Sequence, residues 1–186
     1  MVDRRVARTR EMLQRAHLSL IVEKGYDATT VEDICEAANI GRSTFYAHYT
    51  NKEDMHRRGL EALRRELTEH RDIIRVAEAG GHGLEFSLPM FEHARAHLDL
   101  YRALMGSRGG VIAMAAIRQM LCELVRAELP AARGEADPPR EFFVQYLVGA
   151  YLAVLTWWLD EGAERSPQEM DARFRRLASE GLQAWR

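Results

Sequence analysis

Apolar positions along this chain recur every three to four residues, and no stretch sustains the alternation of apolar and polar residues that a half-buried strand requires. The pattern predicts an all-α protein. A first helix is expected over residues 4–23, with Val6, Leu13, Ala16, Leu20 and Ile21 on one side and Lys24-Gly25 as its stop. Thr30 is placed to cap a short helix over 31–38, with Asp33 in its first turn, where a carboxylate complements the helix dipole. Asn39-Ile40-Gly41 breaks that helix, because Asn and Gly tolerate tight-turn backbone, and a second short helix follows over 42–49. Thr50-Asn51 opens a longer helix to about residue 76, which ends at Ala79-Gly80-Gly81-His82-Gly83. Further helices are expected over 87–96, 97–105, 111–129, 140–160 and 167–185. A loop at Gly106-Ser107-Arg108-Gly109-Gly110 and another over 133–139 separate some of them.

The 186 residues are 47% hydrophobic and 29% charged, which fits a globular chain of one domain, or one with a small appendage, and excludes a disordered or collagen-like one. Against 28 acidic side chains stand 26 basic ones, only two of them lysine, so any contact to nucleic acid must come from a local patch. Cys35 and Cys122 have neither CxxC spacing nor a His pair set for zinc, which favours a reducing, cytoplasmic compartment. The arginine-rich amino terminus is not followed by the unbroken apolar run of a secretory signal. Residues 142–159 are apolar enough to raise the question of a membrane span, at the lower edge of the length required. Burial on more than one face of a helical bundle accounts for them better.

Two short helices joined by a tight turn and preceded by a longer helix have the layout of a helix-turn-helix domain. The second short helix adds chemistry to that layout. Phe45 and Tyr49, four residues apart, fall on a core-facing side, while Arg42, Ser43, Tyr46 and Ala47 share another. That face offers a guanidinium for guanine or phosphate, hydroxyls for base edges or phosphate, and a small residue that permits close approach. Thr30 and Lys52, at the amino ends of flanking helices, suit phosphate.

The run Gly25-Tyr26-Asp27-Ala28-Thr29-Thr30-Val31-Glu32-Asp33-Ile34, followed by residues 37–53 with Gly41-Arg42-Ser43-Thr44-Phe45-Tyr46-Ala47-His48-Tyr49, resembles the DNA-binding domain of the TetR family of transcriptional regulators. The resemblance covers about residues 10–55. It implies a helix-turn-helix DNA-binding domain over 1–50 and a helical regulatory and dimerisation domain over 51–186. It also implies a homodimer on a palindromic double-stranded operator, released by a small-molecule effector, and most often a repressor. Carried over by position, Arg42, Ser43 and Thr44 approach bases, whereas Thr30, Tyr46, His48 and Lys52 lie at phosphates. The chain departs from the commoner pattern with Asn39 where Gly is frequent and Gly41 where a capping Ser is frequent.

The remainder is rich in aromatic and methionine side chains, materials of an adaptable apolar pocket and equally of a plain core. Met90, His93, His97, Tyr101, Met105 and Tyr146 are the ligand-binding candidates. Tyr151, Val154, Trp158, Phe174 and Leu177 are the candidates for a dimer interface made by the last two helices. His93 and His97 are spaced to share a metal, but no third ligand accompanies them, so neither a metal nor another cofactor is expected. No catalytic triad, nucleophile elbow or phosphate-cradling motif is present, and the chain does not read as an enzyme. The competing reading is a DNA-binding architectural or protein-recruiting factor without a small-molecule inducer.

Overall fold

The computed structural model describes residues 4–77, 84–128 and 140–181, with side chains not described at residues 62, 66–77 and 128. Its elements are α1 (Arg4–Lys24), α2 (Val31–Ala38), α3 (Arg42–His48), α4 (Lys52–Ala77), α5 (Ser87–Ala96), α6 (Leu98–Leu104), α7 (Arg108–Glu128), α8 (Arg140–Asp160) and α9 (Pro167–Glu180). Among the described residues there is no strand. The expected break at 79–83 and loop at 133–139 lie outside the described residues.

Local signals act where the periodicity places them. Thr30 caps α2 by accepting from the Asp33 backbone N–H at 3.2 Å, and the Asp33 carboxylate returns to the Thr30 N–H at 2.7 Å. At the other end of α2, Asn39 takes the left-handed conformation with φ 52° and its N–H reaches the carbonyls of Cys35 and Glu36. Gly41, by contrast, sits at φ −65°, and a Cβ there would meet only Ser43 Oγ at an ordinary 3.9 Å, so the turn draws its left-handed residue from Asn39. Ser166 and Glu169 form a second reciprocal box at the start of α9, with Pro167 in its first turn.

One boundary differs from expectation. The glycine run at 106–110 was expected to be loop throughout, yet α7 begins at Arg108 and includes Gly109 and Gly110. Ser107 Oγ accepts the Gly110 N–H at 3.1 Å, the service a capping residue gives, and this lets the helix start early. Glycine is required at these positions for room, since a Cβ at Gly109 would overlap the Tyr26 ring and one at Gly110 the Leu104 carbonyl.

The chain divides into two compact units. The first comprises residues 1–63 and 99–116, and thus extends past residue 50 and takes in α6 and the start of α7. Its core joins Leu13 and Ala16 of α1 to Ile34, Cys35 and Ala38 of α2, Phe45 and Tyr49 of α3, and Met55 of α4. Beside that core His17, Tyr26 and His56 meet ring to ring, with centroids 5.0–5.9 Å apart. The second unit comprises residues 64–98 and 117–186. There α5 packs on α8 and α9 around Phe86, Phe91, Tyr151, Trp158 and Phe174, whose rings meet at 5.0–5.4 Å. Tyr151 Oη donates to the Ser87 carbonyl at 2.9 Å, and Ser87 Oγ meets Asp171, which also pairs with Arg175 at 2.9 Å. Helix α8 is long and apolar enough to cross a bilayer by length and composition alone. Eight of its side chains, from Val144 to Leu159, are buried in the protein.

The histidine cluster makes the first unit sensitive to acid. His17 is completely buried, and neither of its ring nitrogens has a hydrogen-bond partner. Burial, reinforced by the charges of His56 and Lys52, lowers its pKa from 6.5 to about 3. Between those values the unfolded chain carries a proton at His17 that the folded chain refuses, so stability falls as pH drops through that window. The contribution is up to about 1.4 kcal/mol per pH unit. Urea unfolding at several pH values between 7 and 4 should show a shallower fall for His17→Phe than for the parent; parallel curves would remove His17 as the titrating group.

Candidate nucleic-acid interface

The recognition surface is built by the division of α3 between two environments. Phe45 is fully buried and Tyr49 nearly so, their rings 5.6 Å apart, which fixes the rotation of this seven-residue helix. Arg42, Ser43, Thr44, Tyr46 and Ala47 are left exposed on the outer side, and His48 is half-buried. Tyr46 retains half of its surface while its ring packs edge-on against Phe45 at 5.4 Å. A phenol supported from below in this way is presented with little loss of rotamer freedom. Arg42 opens the helix, close enough to α2 for its charge to act on the Cys35 thiol, whose pKa is raised chiefly by burial.

The two flanking residues are already engaged within the protein. Thr30 Oγ1 donates to Asp33 at 2.7 Å while accepting the Asp33 N–H, so both its functions are occupied. The Asp33 carboxylate is also paired with Lys24 at 2.8 Å, and these hydrogen bonds hold it well below the usual carboxylate range. Lys52 Nζ donates to the carbonyls of Tyr26 at 2.7 Å and Thr29 at 2.6 Å, and lies 4.2 Å from the centre of the Tyr26 ring. Burial lowers its pKa. Two of its three protons hold the α1–α2 connection to α4, and one is left for an outside acceptor.

Around this surface lie His56, which the sequence did not single out, and Asn51, which it marked only as the opening of α4. His56 Nε2 donates to the Gly109 carbonyl at 3.1 Å, tying α4 to the first turn of α7. Asn51 Oδ1 caps α4 by accepting the Asp54 N–H at 2.7 Å, and Asp54 receives the Thr50 N–H and pairs with Arg58. The clue to Lys52 was its position at the start of a helix, but its acceptors lie 26 and 23 residues earlier, beyond the reach of any local spacing rule.

The candidate ligand residues are divided between the two units. Met90 is buried in the second unit, His93 is half-buried, and His97 is exposed at the end of α5, with the two imidazole rings 4.4 Å apart. Among the described residues no third His, Cys, Asp or Glu joins them to make a metal cluster. Tyr101 and Met105 belong to the first unit, and Met105 is half exposed. Tyr146 is exposed on α8.

Three of the interface candidates, Tyr151, Trp158 and Phe174, are buried within their own subunit at 0–5% exposure. On α8 the exposed apolar line is instead Phe142, Tyr146, Ala153 and Trp157, spaced 4, 7 and 4 residues apart, with Leu177 exposed on α9 and Val154 half-buried. Helix α8 is apolar on every side, so its sequence does not mark which side packs within the chain. Only the packing of α5 and α9 reveals which side is left over.

Residues 15–58 match the family described as bacterial regulatory proteins, tetR family, and residues 82–180, more than half of the chain, match a transcriptional regulator C-terminal region. The chain belongs to the TetR family of transcriptional regulators. It is 29% identical over 177 residues to the HTH-type transcriptional regulator YxbF of Bacillus subtilis, an alignment covering 93% of this chain and 45% of that protein. Over 44 residues it is 46% identical to the biofilm operon icaADBC HTH-type negative transcriptional regulator IcaR of Staphylococcus epidermidis, covering 24% of each. The chain thus spans less than half the length of these relatives in the matched regions. The crystal structure of a TetR-family regulator from Syntrophomonas wolfei shares the fold, with a TM-score of 0.74 at 17% identity over 97% of this chain and 96% of that one. Placed on this TetR fold, α2 and α3 form the helix-turn-helix, and the matched carboxy-terminal region covers most of the second unit.

Replacement of Lys52 by Met should lower stability by about 1–3 kcal/mol, because two carbonyls lose a charged donor. Urea unfolding of K52M measures this; an unchanged midpoint would show that the ammonium does not hold the α1–α2 connection.

Proposed function

We propose that this TetR-family regulator is a repressor that binds a palindromic double-stranded operator as a homodimer and leaves it when a small molecule binds the second unit. The observation that carries the reading is the outer side of α3. There Arg42, Ser43, Thr44 and Tyr46 stand exposed on a helix whose rotation is set by Phe45 and Tyr49. A guanidinium and three hydroxyls on one short helix suit base edges and phosphates in a major groove. Arg42, Ser43 and Thr44 are assigned to bases and Tyr46, His48 and Lys52 to phosphates, with Lys52 keeping one donor for that purpose; Thr30, whose hydroxyl and N–H both donate to Asp33, would have to give up one of those bonds to reach a phosphate. Repression is favoured by the likeness of the DNA-binding segment to a protein named as a negative regulator.

The proposed dimer face is the line of Phe142, Tyr146, Ala153 and Trp157 on α8, joined by Val154 and Leu177. Gly149 lies on the same side of the helix with open space where a side chain would be, and so permits close approach of a second helix. This face also accounts for the apolar α8 without a membrane, and a partner of genomic DNA places the protein in the cytoplasm. Effector binding is assigned to the second unit, with Met90, His93 and His97 as its ligand-facing candidates, alongside Tyr101, Met105 and Tyr146. Nothing in the proposed role calls for catalysis or a cofactor.

Selection of bound sequences from random double-stranded DNA tests the reading. An enriched palindrome is expected, and Arg42→Ala should then weaken binding by about 1–3 kcal/mol while relaxing the preference at one position of each half-site. Absence of any enriched sequence would overturn the proposal. For the dimer face, Tyr146→Asp with Trp157→Asp should yield monomers in analytical ultracentrifugation and cost operator affinity; a variant that sediments as the parent does would move the interface elsewhere.

A further inference from the structure

We infer that the arginine-bearing end of α1 is a second contact to DNA, made to backbone phosphates beside the site of α3; this rests on the DNA-binding function proposed above. Arg4, Arg5, Arg8 and Arg10 are all exposed, and residues 4–10 contain no acidic side chain. Asp3 precedes this segment, and the next carboxylate, Glu11, is engaged by Arg15 at 2.8 Å. Among the described residues no carboxylate pairs with Arg4 or Arg8. These cations also crowd the end of a helix where the peptide dipoles already place positive charge, an arrangement that an outside anion relieves.

Position selects the anion. Leu13, one turn beyond Arg10, lies in the same core as Phe45 and Tyr49, and the charge of Arg10 acts on the Tyr49 hydroxyl at the carboxy-terminal end of α3. Arg42 stands at the opposite end of that helix. Seven residues of helix span about 10 Å, a length on the scale of the roughly 12 Å width of a major groove. From Arg10, the helix carries the remaining arginines about 9 Å further, to Arg4. Guanidinium forks match phosphate oxygens in pairs, and the preference for arginine over lysine in this segment suits that geometry. An anionic membrane surface is a poorer fit, because the apolar side of α1, with Leu13, Ala16 and Ile21, is buried in the core and leaves no face to insert.

The test is the salt dependence of affinity of the full chain for its selected operator. Arg4→Gln, Arg8→Gln and Arg10→Gln combined should lower the slope of log affinity against log salt by roughly 2 to 3 per subunit, with the selected sequence unchanged. The matching triple replacement by Lys should retain most of the parent slope, which distinguishes lost charge from lost packing. A parent slope in the Gln variant would overturn the inference and leave the function standing, and so would equal losses in the Gln and Lys variants. A changed sequence preference would replace phosphate contact by base readout. If the parent protein itself selects no sequence, the function fails and this contact fails with it.

Discussion

The first unit depends on how one ammonium is held. Lys52 begins α4, yet its charge is spent on the carbonyls of Tyr26 and Thr29 and on the face of the Tyr26 ring. That interaction fixes the turn between α1 and α2, and with it the angle at which α2 delivers α3 to the surface. Tyr26 is the centre of the arrangement: it meets Lys52 through its ring, His17 edge-on, His56 at a tilt, and the first turn of α7 through the space that Gly109 leaves open. The recognition helix is too short to be stable by itself. Its orientation is therefore a property of this joint and of the Phe45 and Tyr49 contacts beneath it.

The same joint explains why stability and function are in tension here. His17 is buried with two unpartnered ring nitrogens, and the Tyr26 hydroxyl is likewise buried without a partner. Unsatisfied polar atoms of this kind cost free energy that an all-apolar core would not lose. They lie where α1, the α1–α2 turn, α4 and the beginning of α7 converge, so the least satisfied part of the unit is also its crossroads.

The parts of the fold legible in the sequence were those governed by neighbours along the chain. The cap at Thr30, the break at Asn39 and the helical periods all depend on residues within four positions, and the boundaries of α2, α5 and α8 agree with the structure residue for residue. The start of α7 was missed because the glycines there answer to Tyr26 and Leu104, and glycine in a sequence does not reveal whether it serves flexibility or room. The recognition helix was legible for the opposite reason: its buried pair and its polar side differ in chemistry. Helix α8 offered no such contrast. With Tyr151 and Tyr146, or Trp158 and Trp157, chemistry could not tell core from surface, and only the packing of α5 and α9 against one side separates them.

That contrast bears on how the two units divide the work. The first unit presents charge and hydroxyl groups whose placement is set by a buried joint, while the second leaves an apolar line on α8 next to a tightly packed aromatic core. A polar surface can recognise a polyanion reversibly because water competes at every contact, and its strength then varies with salt. An apolar line gains by excluding water and varies little with salt, so it suits a lasting association between like subunits. Under the function proposed above, the chemistry of the two surfaces separates a reversible contact with DNA from a lasting one between copies, and a regulator that leaves its operator without dissolving its own assembly requires that separation.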